Sequence, residues 1–415
     1  MQTPDGDMLV VDNYLPVQRS LRVAMVTETY PPEINGVAAT VARVAQGLRQ
    51  RGHELQLVRP RQDGADTADT ASVDGRFVEV LMRGLPIPRY PQLKMGLPSR
   101  RALVRLWTAR RPDLVHIVTE GPLGWSALQA AAQLKLPVVS DFRTNFHAYS
   151  RHYGMAWLAK PIMAYLRKFH NRTACTMVPT EALRAELAAA GFKGLRVVSR
   201  GVDTQLFDPA RRSEDLRASW GAGPDTLVAL CVGRLAPEKN LGAVLAAADA
   251  MRGAARPMCL VLVGDGPDKA RLGQARPDVH FAGLRRGEDL AAHYASADVF
   301  LFPSVTETFG NVVTEAMASG LAVVAYDHAA AGQLIHHGGN GLLARLDDTG
   351  GFCRLAQRLA GNLPRAHAMG RQARITAGRL DWGRIVEAVE GEYATAIAAN
   401  ATHPRLAWPR ALPAG

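Results

Sequence analysis

Short apolar runs alternate with amphipathic stretches along most of this chain. Arg22-Val23-Ala24-Met25-Val26-Thr27 opens the series as a strand. The pattern predicts further strands at 54–58, 77–82, 114–119, 138–142, 175–178 and 196–199, with helices at 99–110, 123–134 and 181–190. Runs that are apolar throughout suit parallel strands covered on both faces. A second series begins near Asp225, with strands at 228–232, 260–263, 280–282, 299–302 and 323–325. Helical periodicity falls at 241–251, 290–295 and 312–319, and again at 352–359 and 384–399. Repeated strand–helix units argue for doubly wound parallel sheets, so the fold class is α/β, with two Rossmann-like domains facing a cleft. Ligands in such sheets bind beyond the carboxyl ends of the strands.

The boundaries follow. Residues 1–20 read as a loose leader, 21–200 as the first domain and 201–224 as a linker. Residues 225–380 form the second domain, 381–400 a C-terminal helix placed to cross back to the first, and 401–415 a proline-bearing tail. A length of 415 residues suits two domains, and an apolar content of 47% supplies their cores. Cys175, Cys231, Cys259 and Cys353 lie far apart and have no metal-binding spacing, which fits buried thiols in a cytoplasmic protein. The start of the chain lacks the apolar core of a signal peptide, and no run approaches the ~20 residues of a membrane helix. Asp5-Gly6-Asp7 has the spacing of a metal-binding pair but sits in the leader.

Charge changes the picture. Residues 1–200 hold 27 Lys+Arg against 16 Asp+Glu, whereas the remainder balances at 22 against 22. A one-sided basic field points to an anionic partner. Basic residues interleave with apolar ones from Arg89 to Arg111 and from Arg151 to Arg172, the pattern of an interfacial segment. The expected location is the inner face of the cytoplasmic membrane, with peripheral contact through the basic half. A nucleic-acid partner is disfavoured, because neither zinc-finger spacing nor an aromatic RNA-binding signature is present.

Candidate chemistry centres on Pro303-Ser304-Val305-Thr306-Glu307-Thr308-Phe309-Gly310-Asn311-Val312-Val313-Thr314-Glu315. Glu307 lies in a strand-to-helix loop and Glu315 about a turn up the helix. Between them the backbone amides of a helix N-terminus suit a phosphate, and the carboxylates suit hydroxyl-rich groups on either side. Val232-Gly233-Arg234-Leu235-Ala236-Pro237-Glu238-Lys239-Asn240 follows the first strand of the second series. Arg234 and Lys239 flank a turn there and can neutralise a diphosphate, unless Arg234 merely pairs with Glu238. Leu262-Val263-Gly264-Asp265-Gly266-Pro267 is a strand and a tight turn.

These motifs, in this order, resemble the retaining GT-B glycosyltransferases classed as family four, over roughly residues 21–395. The resemblance implies that Glu307 meets sugar hydroxyls and Glu315 the ribose hydroxyls. It implies that the backbone of Phe309, Gly310, Asn311 and Val312 holds sugar and phosphate, and that Arg234 and Lys239 meet the diphosphate. Gly264, Asp265 and Leu284 would lie near the nucleotide. Gly36, in Thr27-Glu28-Thr29-Tyr30-Pro31-Pro32-Glu33-Ile34-Asn35-Gly36-Val37, would approach the diphosphate from the first domain. One stretch departs: many relatives carry a histidine where Asp141-Phe142-Arg143-Thr144-Asn145-Phe146-His147 has Arg143. Either Arg143 replaces it or His147 reaches in. The stretch Asn145 to Ser150 resembles transferases that use lipid acceptors. The implied reaction is hexose transfer with retention, first choice mannose from GDP-mannose, to a lipid or lipid-linked acceptor, with no metal and no cofactor beyond the donor. A UDP-sugar such as UDP-glucose, or a sugar-nucleotide epimerase on the same fold, are the alternatives.

Overall fold

The computed structural model describes residues 20–33, 35–63, 66–68, 75–87, 90–143, 159–253 and 256–402. His147, residues 1–19 and residues 403–415 lie outside them. The first domain contributes β1 (Arg22–Val26), α1 (Gly36–Gln50), β2 (Glu54–Pro60) and β3 (Phe77–Met82). A hairpin of β4 (Gly84–Ile87) and β5 (Tyr90–Gly96) follows. Then come α2 (Arg100–Ala109), β6 (Leu114–Ile117), α3 (Pro122–Leu134) and β7 (Val138–Asp141). The domain closes with α4 (Ala159–His170), β8 (Cys175–Val178), α5 (Glu181–Ala189) and β9 (Leu195–Val197). Its seven-stranded parallel sheet runs β3-β2-β1-β6-β7-β8-β9.

After α6 (Glu214–Ser219), the second domain alternates β10 (Leu227–Val232), α7 (Leu241–Arg252), β11 (Met258–Val263), α8 (Lys269–Ala275), β12 (His280–Gly283) and α9 (Gly287–Ala295). It continues with β13 (Val299–Phe302), α10 (Asn311–Ala318), β14 (Ala322–Tyr326), α11 (Ala329–Leu334) and β15 (Gly341–Ala344). The six-stranded sheet runs β12-β11-β10-β13-β14-β15. Three helices end the described chain, α12 (Thr349–Ala360), α13 (Leu363–Ala377) and α14 (Trp382–Thr402). In both sheets the strand order reverses beside the first strand, β1 or β10. The loops that leave those two strands, toward Gly36 and toward Lys239, therefore open at the switch-point crevices where α/β sheets take ligands.

The second domain buries apolar side chains on both faces of its sheet, Val228, Leu230 and Phe300 on one side and Leu227, Ala229 and Leu301 on the other. That is why its strands read as continuous apolar runs. Helix α14 does not stay with this domain. Val386, Val389, Tyr393 and Ala396 join Val23, Met25, Val41 and Val44 in a first-domain core. Buried polar contacts fix the crossing: Glu390 accepts from Arg51 Nε at 2.6 Å and meets His53 Nε2 at 2.5 Å, and the Tyr393 hydroxyl meets His116 Nδ1 at 2.7 Å.

Not all of 89–111 is the basic amphipathic helix expected, and its largest apolar side chains are not free for an interface. Residues 90–96 form a strand of the hairpin, and the following helix, α2, turns Leu103 and Trp107 fully into the core, where Trp107 Nε1 donates to Gln56 Oε1 at 2.9 Å. Its arginines occupy the solvent side, as on any amphipathic surface helix. In α4, Leu166 and Phe169 are likewise buried, while Tyr165 is partly exposed and donates its hydroxyl to the Glu120 carbonyl. Trp157 and Leu158 lie outside the described residues. The exposed apolar pair in this region is Leu85 and Met95, cross-strand partners on the hairpin.

Candidate functional site

The loop leaving β13 turns at Gly310, whose φ of +92° only glycine adopts without strain, and feeds α10. The first amides of α10 have no carbonyl within the helix to bond. Beside that end stands Glu307. Its Oε1 pairs with Lys239 Nζ and accepts from Ser304 Oγ at 2.9 Å. Burial by itself would raise the Glu307 carboxyl, but the Lys239 charge and these hydrogen bonds hold it below its ordinary value. Lys239 Nζ is also 6.0 Å from the Phe302 ring centroid, and Phe302 flanks Gly310. The loops after β10 and β13 thus meet in one cluster of Lys239, Glu307, Phe302 and Gly310.

Arg234 sits at the rim of the cluster. Its guanidinium pairs with Glu238, with Nε to Oε1 at 3.0 Å, and Glu238 is itself buried. The pairing raised from the sequence is present, and it anchors Arg234 to the same turn that presents Lys239. Glu315 lies deeper, on α10, where the Tyr294 hydroxyl donates to its Oε2 at 2.9 Å. Burial raises the Glu315 carboxyl to about 7, with the Tyr294 hydrogen bond opposing it. Phe309 is buried and its carbonyl accepts from Ala330 N at 2.8 Å. Gly264 crosses the Gly233 loop closely and donates its N–H to the Gly283 carbonyl at 2.9 Å. Asp265 is bound through its backbone to Leu235 N at 2.9 Å. Leu284 is half-exposed at the end of β12.

The first domain meets this surface directly. Thr308 Oγ1 donates to the Arg143 carbonyl at 2.9 Å. Asn311 Nδ2 reaches Thr40 Oγ1 at 3.4 Å and approaches Gly36. Arg143 does not aim a free guanidinium at the cluster. It is buried and bound to Asp141, with Nε to Oδ2 at 2.6 Å. Asp141 is met by His116 Nε2 at 3.1 Å. Burial opposes ionisation of Asp141, but Arg143 and His116 hold its carboxyl well below the usual range. Arg200, which lies 5.9 Å from the Phe309 ring centroid, is not legible in the sequence, because it sits in the loop after β9 with no periodic or motif signal of its own. Ser304, Thr308 and Thr40 are not singled out by the sequence either. Among the described residues, no group of three or more His, Cys, Asp or Glu converges as a metal site requires.

Residues 34–206 match Glycosyltransferase Family 4 and residues 226–362 match Glycosyl transferases group 1. A GDP-mannose-dependent alpha-mannosyltransferase of Mycolicibacterium smegmatis (strain ATCC 700084 / mc(2)155) is 35% identical over 376 residues, 90% of this chain and 97% of that protein. The chain belongs to the family 4 glycosyltransferases. An alpha-monoglucosyldiacylglycerol synthase of Streptococcus pneumoniae (strain ATCC BAA-255 / R6) is 26% identical over 329 residues, covering 76% of this glycosyltransferase and 73% of its own length. Among solved structures, sucrose-phosphate synthase (tll1590) from Thermosynechococcus elongatus superposes with a TM-score of 0.73 at 20% identity, covering 91% of this chain and 99% of that one. The fold is GT-B, and the enzyme is a hexosyltransferase.

Proposed function

We propose that the enzyme transfers mannose from GDP-mannose, with retention, to a lipid or lipid-linked acceptor, and needs no metal ion to do so. The observation that carries this reading is Lys239 paired with Glu307 at the N-terminus of α10. In this reading the diphosphate lies against Lys239, Arg234 and the amides of Gly310, Asn311 and Val312, with Gly36 opposite. Glu307 holds sugar hydroxyls and Glu315 the ribose hydroxyls. As the bond from the anomeric carbon to the diphosphate breaks, negative charge grows on the leaving oxygen. Fixed cations and oriented amides stabilise that charge at no reorganisation cost. The acceptor hydroxyl attacks from the leaving-group side and gives its proton to a phosphate oxygen. Glu307, already ion-paired, orients the donor; a glycosyl ester trapped on Glu307 would contradict that role. The choice of GDP-mannose is supported by the mannosyltransferase relative, and that of a lipid acceptor by the glucolipid synthase.

The test is a panel of GDP- and UDP-sugars incubated with a total lipid extract. New mannolipid from GDP-mannose is the expected product. Product from UDP-glucose alone would overturn the donor assignment, and an epimerised nucleotide sugar formed without acceptor would overturn transfer itself.

Donor affinity should depend on pH. An ionised Glu315 accepts from both ribose hydroxyls, whereas the protonated form loses one acceptor site. GDP is therefore expected to bind more tightly as pH rises through about 7, releasing a proton, and Glu315→Gln should flatten that profile in calorimetric titrations. Stability runs the other way. A folded carboxyl raised from 4.5 to about 7 contributes stability below its unfolded value that is lost as pH climbs through the folded one.

Membrane contact is the second part of the proposal. What supports it is the exposed pair Leu85 and Met95 beside Lys94, within the half that holds the basic excess. No described helix is long and apolar enough to cross a membrane. Each cation near an anionic surface contributes about 1 kcal/mol, screened by salt. The protein is expected to sediment with anionic vesicles at low salt, to release at high salt, and to bind less as the Leu85→Asp/Met95→Asp variant. Absence of binding at low salt would contradict the proposal.

A further inference from the structure

Arg200 follows β9 and is 6% exposed. With Thr40, Asp141, Arg143 and Ser199 it lines a small cavity walled by first-domain residues and by Val389 of α14. Three charges act on it: Arg143, Asp141 and Glu307. Asp141 is engaged by Arg143, and Glu307 by Lys239. Among the described residues, the Arg200 guanidinium makes no hydrogen bond or ion pair; its one contact of this kind is the face of Phe309. One positive charge is therefore left uncompensated. Burial and the Arg143 charge push its pKa down to about 9, so it stays protonated at neutral pH. Beside it, Ser199 Oγ is buried and has no hydrogen-bond partner.

A buried charge without a counterion is costly, and so is a buried hydroxyl without a partner. Both open onto the same cavity, and together they offer what an oxyanion needs: a fixed fork of donors and an adjacent hydroxyl. We propose that Arg200 and Ser199 form an anion subsite that receives a carboxylate or phosphate ester of the acceptor. This rests on the reading above that hexose passes from a nucleotide sugar to an acceptor in the first domain. The donor diphosphate is already served by Lys239 and Arg234 on the opposite wall. Glu307 pairs with Lys239, and its charge is also felt at Arg200, so in this reading the sugar held by Glu307 lies within the field of both cations. A sugar gaining positive charge in the transition state is disfavoured by a bare cation; an acceptor anion on Arg200 cancels that field. The subsite thus sets acceptor specificity and matches the site's charge to the reaction.

The test compares three diacylglycerol acceptors in mixed micelles: a neutral hexosyl lipid, a hexuronosyl lipid with a carboxylate, and a hexosyl-phosphate lipid. The enzyme is expected to favour one of the two anionic acceptors about 10- to 100-fold in kcat/KM, as charge-assisted hydrogen bonds allow, and the favoured one identifies the anion. Arg200→Gln should bring that ratio to about one through the acceptor KM, with Arg200→Lys intermediate because it keeps the charge and loses the fork. Equal use of all three by the parent, a ratio that survives Arg200→Gln, or a rise in donor KM instead would overturn the subsite. Transfer to none of the three would instead count against the lipid-acceptor reading. The subsite is then decided by inorganic phosphate at saturating GDP, which should raise the Tm of the parent and not that of Arg200→Gln; equal shifts overturn it. Arg200→Gln alone should melt no lower than the parent, since it removes an uncompensated charge. A marked drop would identify a structural arginine and overturn the proposal.

Discussion

Lys239→Ala is expected to lower kcat by about 100- to 1,000-fold, the scale seen when one fixed donor to a developing oxyanion is removed, while the fold survives. Lys239 is partly exposed, so its removal leaves no cavity in either core. Its loss does strand Glu307. That carboxylate is held below its ordinary pKa chiefly against burial by Lys239, and without the lysine it shifts upward. The variant should therefore lose leaving-group stabilisation and part of the donor orientation together. Steady-state kinetics with GDP-mannose separates these: the first lowers kcat, the second raises KM. Glu307→Ala is expected to be crippled to a similar degree, and the double variant should lose less than the product of the two, because the residues act as a pair. Near-normal turnover in both single variants would contradict the site assignment.

Gly264→Ala is expected to be the most damaging change to stability near the site. The residue follows β11 at φ +138°, and an added Cβ would fall 1.9 Å from the Gly233 carbonyl oxygen. That oxygen is backbone and cannot swing aside as a side chain can. Strain of this kind costs on the order of 3 kcal/mol or more, a large share of the about 5–15 kcal/mol that holds a folded chain together. The loop carrying Arg234 and Lys239 begins at Gly233, so the partially folded or displaced variant should also lose donor affinity. Urea unfolding followed by tryptophan fluorescence, with GDP titration alongside, checks both. A denaturation midpoint equal to that of the parent would mean that the two loops are not in the contact described.

Much of this arrangement was legible in the sequence, for physical reasons. Strands buried on both faces leave uninterrupted apolar runs, and so β8, β10 and β13 were read closely. The two sheets and the cleft followed from alternation alone. Elements without a long apolar run or a clear apolar stripe are not legible, the 15-residue α13 among them. The hairpin strands β4 and β5 each contain a proline, and β5 with its Lys94 reads in sequence as the start of the basic, interfacial stretch. β15 is four residues of Gly341–Ala344 with little apolar length to announce it. Helices α8 and α11 are short and rich in alanine or polar residues, with weak periodicity. At the site, Glu307, Lys239 and Gly310 stood out because loop, charge and helix start coincide in sequence. Arg200 did not, because its meaning comes from charges brought near it by folding: Asp141 and Arg143 from one strand end, Glu307 from the other domain. Only the balance of those charges marks it, and a linear chain does not show who neutralises whom.

In the proposed mechanism, opposed domains hold a nucleotide diphosphate sugar while fixed protein cations and amides let the diphosphate leave. The most direct measurement is the anomeric configuration of the mannolipid formed from GDP-mannose in excess chelator, read from the one-bond carbon–hydrogen coupling at the anomeric centre. An α-linked product formed at an undiminished rate is expected. A β-linked product, or none until magnesium is restored, would contradict it.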